Sequence, residues 1–503
     1  METIRRYWNE KPLALIMGLA IFFRLIASIF AKGFGWHDDH FLVIEAAQSW
    51  VDGTDYNNWL PINGNTTPSG HSFFYPGIHF VILYFLKWIG MTEPQSKMVV
   101  IRMLHALLSL LIVNYGYKIT EKLSDTNTAR WTGLMLAVYW FMPFLSVRNL
   151  VEFVTIPFLM TSCWLIIKND DSSKAGKSFF YAGLVAGMAM CVRFQSVIFM
   201  IGIGIVLLLQ RKWKPLFLLA FGTALVFCVF QGVNDYLLWG RPFAEFRQYV
   251  QHNVDNANNY LTNTWYSYVL VVLGILLPPL SIFLFFGFMR TWKKHALLFF
   301  PTLLFLVFHS MFPNKQERFI LTIVPFIIIL GAIGWSSFVS HSAFWKKNKK
   351  LLNGLIGFSV VINCIALPVV TIMYSKRARV ESMVYLSHDD NIKSIVLEDT
   401  NHPSTRLAPL FYLKHWIHAY EVTTDHPLAD FVKDHAGSDT TRYPDYILFF
   451  ENKNLDKRVA DLKAYYPKLT YMTTIDPGFI DDLLFRMNPR NNVNQTVYIY
   501  KVK

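Results

Sequence analysis

Charge is what this sequence has least of. Only 16% of its residues are Asp, Glu, Lys or Arg, where a soluble domain carries roughly 25%. With 53% hydrophobic residues, the chain has too little polar side chain to solvate a water-soluble globule of its size. Acidic residues are the scarcer sign, 34 against 47 Lys and Arg, for a formal net charge of +13. Cysteine is nearly missing as well. Cys163, Cys191, Cys228 and Cys364 each sit inside an apolar block, with no CxxC or Cys/His metal spacing. That excludes a disulfide framework and a structural zinc site, and reads as free buried thiols. No internal repeat is found. A small-residue cleavage site is also lacking after the charged start Met1–Lys11 and the apolar block 12–31, so this block reads as a retained first span.

What is present is apolar sequence in long runs. Stretches such as 197–210, 269–289 and 321–339 contain no charged side chain. A bilayer core needs roughly 20 apolar residues as helix, and uninterrupted runs exclude a barrel, whose strands alternate. Twelve such blocks follow one another between residues 12 and 375. Basic residues fall in the short loops between them, at Arg5, Arg6 and Lys11, at Lys118, Lys122 and Arg130, at Arg211, Lys212 and Lys214, and at Lys346–Lys350. Such clusters mark the inner side, so the positive charge speaks of topology and not of nucleic acid. The assignments agree only if one block before residue 118 does not cross. The aromatic block 73–90, with His79 and Lys87 inside it, suits an interfacial or re-entrant helix. The expectation is an α-helical polytopic membrane protein of about 11 transmembrane helices, with juxtamembrane helices in the first outer loop. The tail 376–503 is polar, with strand-like runs at 394–398, 446–450, 469–473 and 496–500 and a helix-like stretch at 455–464. It reads as a small C-terminal α/β domain outside the membrane, after a membrane domain of 1–375.

The outer side collects the reactive residues. Trp36-His37-Asp38-Asp39-His40-Phe41 follows the first span directly. Two carboxylates between two histidines at a membrane surface offer a general base. The plainer alternative is a solvated N-cap, with Asp39 capping a helix over 41–50, and a metal on His37, Asp38 and His40 is chemically compatible. Lys315 and Arg318, in Asn314-Lys315-Gln316-Glu317-Arg318-Phe319, lie on the outer side against the positive-inside trend. Such a pair suits a phosphate, with headgroup snorkelling as the alternative. Trp265 and Tyr268 precede a span, either as an interface belt or as a stacking surface for sugar. Arg148 and Arg193 occupy outer tips.

These patches resemble, in order and in place, the GT-C mannosyltransferases of glycosyltransferase family 22, over about residues 10–340. The family's His-Pro-Asp-Glu-x-Phe signature has its counterpart in Trp36–Phe41, which puts Asp38 on the catalytic aspartate. Its Tyr-Gly-Thr-His-Pro-Trp-x-x-Tyr survives only in outline, as Tyr260, Trp265 and Tyr268. Its His-Lys-Glu-x-Arg-Phe is matched by 314–319, with Asn314 for His and Gln316 for Glu, and Pro325 after it. The α/β tail is untypical of eukaryotic members and points to a distant bacterial relative.

What the resemblance implies is an inverting glycosyltransferase moving a sugar, mannose by analogy, from a polyprenyl-phosphate sugar donor to a hydroxyl on a glycan or glycolipid acceptor. Asp38, seconded by Asp39, would be the base. Lys315, Arg318, Arg193, Arg148, His37, His40, Trp265 and Tyr268 would hold donor phosphate and substrate. No cofactor is expected; a divalent metal is compatible but not required. Membrane lipids are expected partners and nucleic acid is not. The expected place is a bacterial inner membrane with the site on its outer face, the endoplasmic reticulum being the alternative. The rival readings are a transporter or flippase of lipid-linked sugars and a non-catalytic assembly factor.

Overall fold

Lipid offers the backbone no hydrogen-bond partner, so a long apolar block must close its bonds within itself as helix. The computed structural model describes residues 2–62, 65–169, 175–259, 262–434 and 444–502. Six helices are long and apolar enough to cross a membrane: Pro12–Phe30, Pro94–Leu123, Val151–Asn169, Trp213–Trp239, Glu317–His341 and Lys349–Thr371. Shorter apolar helices include Gly176–Val192, Ser196–Leu209, Leu280–Arg290 and Ala296–Met311. The protein is an integral membrane protein. The aromatic block is the helix Phe74–Trp88, 15 residues long. At about 1.5 Å per residue it falls short of a hydrocarbon core of about 30 Å, as do several of the other short helices, so length alone does not set its topology.

The chain forms two compact units. The first comprises Met1–Ile29, Asn58–Ile78 and Val100–Thr371, and the second Phe30–Asn57, His79–Val99 and Ile372–Lys503. The composition shift near 375 therefore marks only one border of the second unit, because two segments from the first hundred residues cluster with the tail.

In the first unit, helices approach one another across small residues. A Cβ on Gly287 would overlap the Gly331 carbonyl, and one on Gly183 would overlap the Leu219 carbonyl. Only glycine admits such approach, as at other membrane helix crossings. Charges buried here have structural partners. Arg24 is 1% exposed; it donates to Ser109 Oγ at 2.8 Å and to the carbonyls of Ala137 and Leu136 at 3.0 and 3.3 Å. Those carbonyls end the helix Thr126–Val138, where no further intrahelical donor exists. Arg102 Nε donates to the Ser28 carbonyl at 2.7 Å. Cys163 and Cys191 are buried thiols as expected, but Cys228 and Cys364 are exposed. They lie on long apolar helices, Trp213–Trp239 and Lys349–Thr371.

In the second unit the tail builds a five-stranded sheet in the order β2-β1-β3-β5-β4. Its strands are β1 (Ser394–Asp399), β2 (His418–Thr423), β3 (Tyr446–Phe450), β4 (Thr470–Ile475) and β5 (Val497–Lys501). β1 runs parallel to β2 and β3, whereas β5 is antiparallel to β3 and β4. β1 and β3 are buried along their whole length, with apolar centres at Ile395–Leu397 and Ile447–Phe450, as central strands tend to be. Val396, Ile447, Phe449 and Val502 pack with Leu462 of the helix Leu455–Lys463 into one core. At the end of β1, Arg458 Nε donates to Glu398 Oε2 at 2.8 Å, and the same guanidinium caps the Phe450 carbonyl. Both side chains are almost fully buried, a desolvated pair that holds only because each remaining donor finds a partner.

Candidate functional site

The reactive segment of the second unit is a sharp entry into helix. His37–His40 form one α turn, Phe41–Glu45 widen into a π-turn, and Ala46–Val51 continue as α-helix. Asp39 is the third residue of the first turn. Its Oδ1 accepts from the Trp36 amide at 3.0 Å and its Oδ2 from the Gly35 amide at 3.3 Å, while the residue is 1% exposed. Its carboxylate thus closes the helix start from within, the reciprocal half of a capping box. It caps the turn it belongs to and not the following helix 41–50. Asp38 points the other way. Its side chain keeps 41% of its surface open, with Oδ1 3.5 Å from His37 Nδ1, and His37 stacks on Phe41 with ring centroids 4.7 Å apart. Of the two adjacent carboxylates, one is committed to backbone and the other is accessible.

His40 is placed differently from its sequence-based role as a substrate contact. It is 1% exposed and sandwiched between Phe34 and Tyr412, at 4.7 and 5.4 Å. Its Nε2 lies 3.5 Å from Glu45 Oε1, which also accepts from the Phe411 amide at 3.0 Å. His40 therefore tethers the π-turn to the 3-10 turn Leu410–Leu413, and a substrate cannot reach its ring. Among the described residues no group of three or more His, Cys, Asp and Glu is placed to hold a metal ion.

The basic residues belong to the first unit. The helix Ala296–Met311 stops at Phe312, Asn314 pairs with Thr262 as an isolated bridge, and a 3-10 turn, Glu317–Ile323, leads into the helix Val324–His341 with Pro325 in its first turn. That irregular passage presents Lys315, Gln316 and Arg318. Lys315 Nζ donates to the Phe312 carbonyl at 2.6 Å, and desolvation holds its pKa below the ordinary lysine value. Arg318 Nε donates to Gln316 Oε1 at 2.8 Å and stands 3.8 Å from Glu152 Oε1. Arg193, at the turn between two helices, donates to Gln195 Oε1 at 2.8 Å and to Thr322 Oγ1 at 3.1 Å. Its Nη2 lies 3.5 Å from the same Glu152 oxygen. Tyr268 OH donates to the Gln316 carbonyl at 3.1 Å. Arg193 and Arg318 lie over the Phe319 ring at 5.3 and 5.5 Å. All of these cations are at least nine-tenths buried.

Two guanidiniums thus share one buried carboxylate. Gln316, where the resemblance has Glu, supplies an acceptor without a second negative charge. Such a desolvated, pre-positioned pair of forks is chemically fit to hold a phosphate. Arg148 is buried just before the helix Val151–Asn169, its guanidinium 4.2 Å over Phe144. Trp265 stays outside, 67% exposed with its ring edge-on to Tyr266, while Tyr260 lies outside the described residues. The sequence reading missed Glu152 and Glu45 as partners of the cations and of His40. Glu152 is a lone acid in the first turn of an apolar helix, and that costly placement was the available signal.

A profile of the Alg9-like mannosyltransferases matches residues 15–405. GPI alpha-1,2-mannosyltransferase 3 of Homo sapiens is 24% identical over 331 residues, covering 62% of this chain and 54% of that protein. Mannosyltransferase APTG1 of Arabidopsis thaliana is 21% identical, covering 62% and 57%. The chain therefore spans a little over half the length of the curated relatives it matches. Among solved structures, ArnT of Cupriavidus metallidurans bound to undecaprenyl phosphate superposes with a TM-score of 0.62 at 14% identity, over 97% of this chain and 98% of that one. The Archaeoglobus fulgidus oligosaccharyltransferase, in complex with zinc and sulfate, gives 0.52 at 11% identity, over 93% and 72%.

Proposed function

The chain belongs to the Alg9-like mannosyltransferase family and has the GT-C fold, and from that premise we propose that it transfers mannose from a polyprenyl-phosphate donor to a hydroxyl of a glycan or glycolipid acceptor. The observation that carries this reading is the desolvated Arg193–Arg318 pair sharing the carboxylate of Glu152. It is a fixed basic cluster beside a short irregular loop, suited to an anion.

In the proposed reaction Asp38 takes the proton of the acceptor hydroxyl as that oxygen attacks the anomeric carbon. The bond from carbon to phosphate oxygen breaks in the same displacement, so the configuration inverts. The electron pair leaves with the lipid phosphate, and Lys315, Arg318 and Arg193 oppose the charge that grows there. No step calls for a metal. Purified protein in detergent, given polyprenyl-phosphate mannose and an acceptor glycolipid, is expected to form a new glycosidic bond. Detergent removes the barrier a flippase would act across. Absence of product with several donors and acceptors, together with translocation in proteoliposomes, would favour a transporter. The buried arginines Arg24 and Arg102 donate to carbonyls and a hydroxyl of neighbouring segments, so these two charges are engaged in packing.

The site is proposed to face the outer side of the membrane, a bacterial inner membrane by the character of the tail, with eleven spans and the tail outside. A cysteine placed at Asp430, which is exposed on the helix Leu428–Asp434, is expected to react with an impermeant maleimide in intact cells. Reaction only after permeabilisation would overturn this topology.

A further inference from the structure

The second unit contains a cavity of about 160 Å³ whose lining includes Gln48, Lys87, Lys97, Lys414 and Trp416. A buried water needs only about 10–15 Å³ on this measure, so the space admits a group far larger than one solvent molecule. Its charges are not evenly matched. Lys87 Nζ lies 3.2 Å from Asp52 Oδ1, and Lys414 Nζ lies 2.6 Å from Glu93 Oε2. Asp52 also accepts from Gln48 Nε2 at 3.0 Å and from Trp416 Nε1 at 3.1 Å. Lys97 differs from the other two. It is 6% exposed, its Nζ donates to the neutral Gln48 Oε1 at 3.0 Å, and no described carboxylate stands within 4.0 Å of it. An ammonium carries three donors; Asp52 and Glu93 attract Lys97 from a distance, but each is already paired with another lysine, so three cations share two carboxylates and an added anion would offset the cost of burial.

Two further features share the cavity. Pro94, on its wall, begins the 30-residue helix Pro94–Leu123, whose N-terminus carries partial positive charge and amides with no intrahelical acceptor. Trp416 lies beside Tyr56, ring centroids 5.1 Å apart and tilted by 36°, and Tyr56 is 42% exposed. A surplus buried ammonium and a helix N-terminus call for an anion, while a partly open aromatic pair offers a face to the C–H surface of a sugar.

We propose that this cavity is a binding site for a phosphorylated saccharide, with the phosphate on Lys97 and the helix start and the sugar ring against Trp416. It goes beyond the transfer reaction, since none of these residues takes part in that chemistry, and it would recognise a phosphate-bearing glycan. Titration calorimetry on the full-length protein in detergent, with mannose 6-phosphate, mannose and inorganic phosphate as probes, tests it without any turnover. Mannose 6-phosphate is expected to bind more tightly than either other probe. Loss of one charge-assisted contact in Lys97→Met should weaken it about tenfold or more. Trp416→Ala should weaken mannose 6-phosphate and leave inorganic phosphate unchanged. Lys414→Gln, at an exposed position, gives a second charge variant that does not disturb the buried lysine, and it should weaken the sugar phosphate several-fold. Inorganic phosphate binding as tightly as mannose 6-phosphate would reduce the site to a simple anion hole and overturn the saccharide assignment. Equal binding by the wild type and both lysine variants would overturn the site itself.

Discussion

Asp38→Asn is expected to lower turnover by roughly 10²–10⁴-fold, the usual weight of a general base, with folded protein recovered in normal amount. The expectation comes from the contrast between two neighbouring carboxylates. Asp38 is accessible and touches His37, so it is the one able to meet a hydroxyl. Asp39 is buried, with both oxygens on the Gly35 and Trp36 amides. Asn at position 39 would replace one acceptor by a donor facing an N–H, and should cost about 1 kcal/mol of local stability, as lost caps do. The two variants are therefore expected to separate. Asp38→Asn should be stable and slow, and Asp39→Asn less stable but with residual activity per folded molecule. Steady-state kinetics beside a thermal-unfolding profile reads both. A fully active Asp38→Asn next to a stable but inactive Asp39→Asn would exchange their roles.

Arg318→Lys is expected to reduce kcat/KM by roughly 10–100-fold, the scale of one charge-assisted hydrogen bond lost from a desolvated site. The charge would be preserved, so simple headgroup attraction predicts almost no change. The guanidinium, however, is held as a plane, with Nε on Gln316 Oε1 and the ring of Phe319 beneath it. That arrangement aims a fork that an ammonium cannot reproduce. The companion change Glu152→Gln should act in the opposite sense on donor binding. It removes the negative charge shared by Arg193 and Arg318, so phosphate should bind more tightly while the guanidiniums lose their common anchor. An Arg318→Lys enzyme with unaltered kinetics would leave the basic pair as a lipid-headgroup contact.

The membrane character and the small tail sheet were legible in the residues alone. Lipid forces each long apolar block into helix, so charge scarcity and block length were sufficient signals. Three of the five strands announced themselves because β1, β3 and β5 are apolar runs bounded by turns, and β4 was offset by a residue or two. His418–Thr423 was missed, since an edge strand with mixed polar and apolar, half-buried side chains lacks the continuous apolar signature. The count of crossings rested on loop charge, which the helix lengths do not decide.

Other features belonged to tertiary structure. Only the family resemblance ranks Asp38 above Asp39 in the sequence; the hydrogen bonds of one helical turn show which carboxylate is held by backbone. His40 looked like a partner of the carboxylates, yet Tyr412, far along the chain, covers its ring. Trp265 carried the family outline but stands exposed, whereas Tyr268 three residues on is buried against Gln316. The sequence by itself determined which segments enter lipid and which residue types could serve the chemistry, because hydrophobic run length and charge are local properties. Only the tertiary structure decided which cations share a carboxylate. Arg193, Arg318 and Glu152 come from segments distant in sequence, and a buried charge acquires its partner through packing that no local pattern encodes.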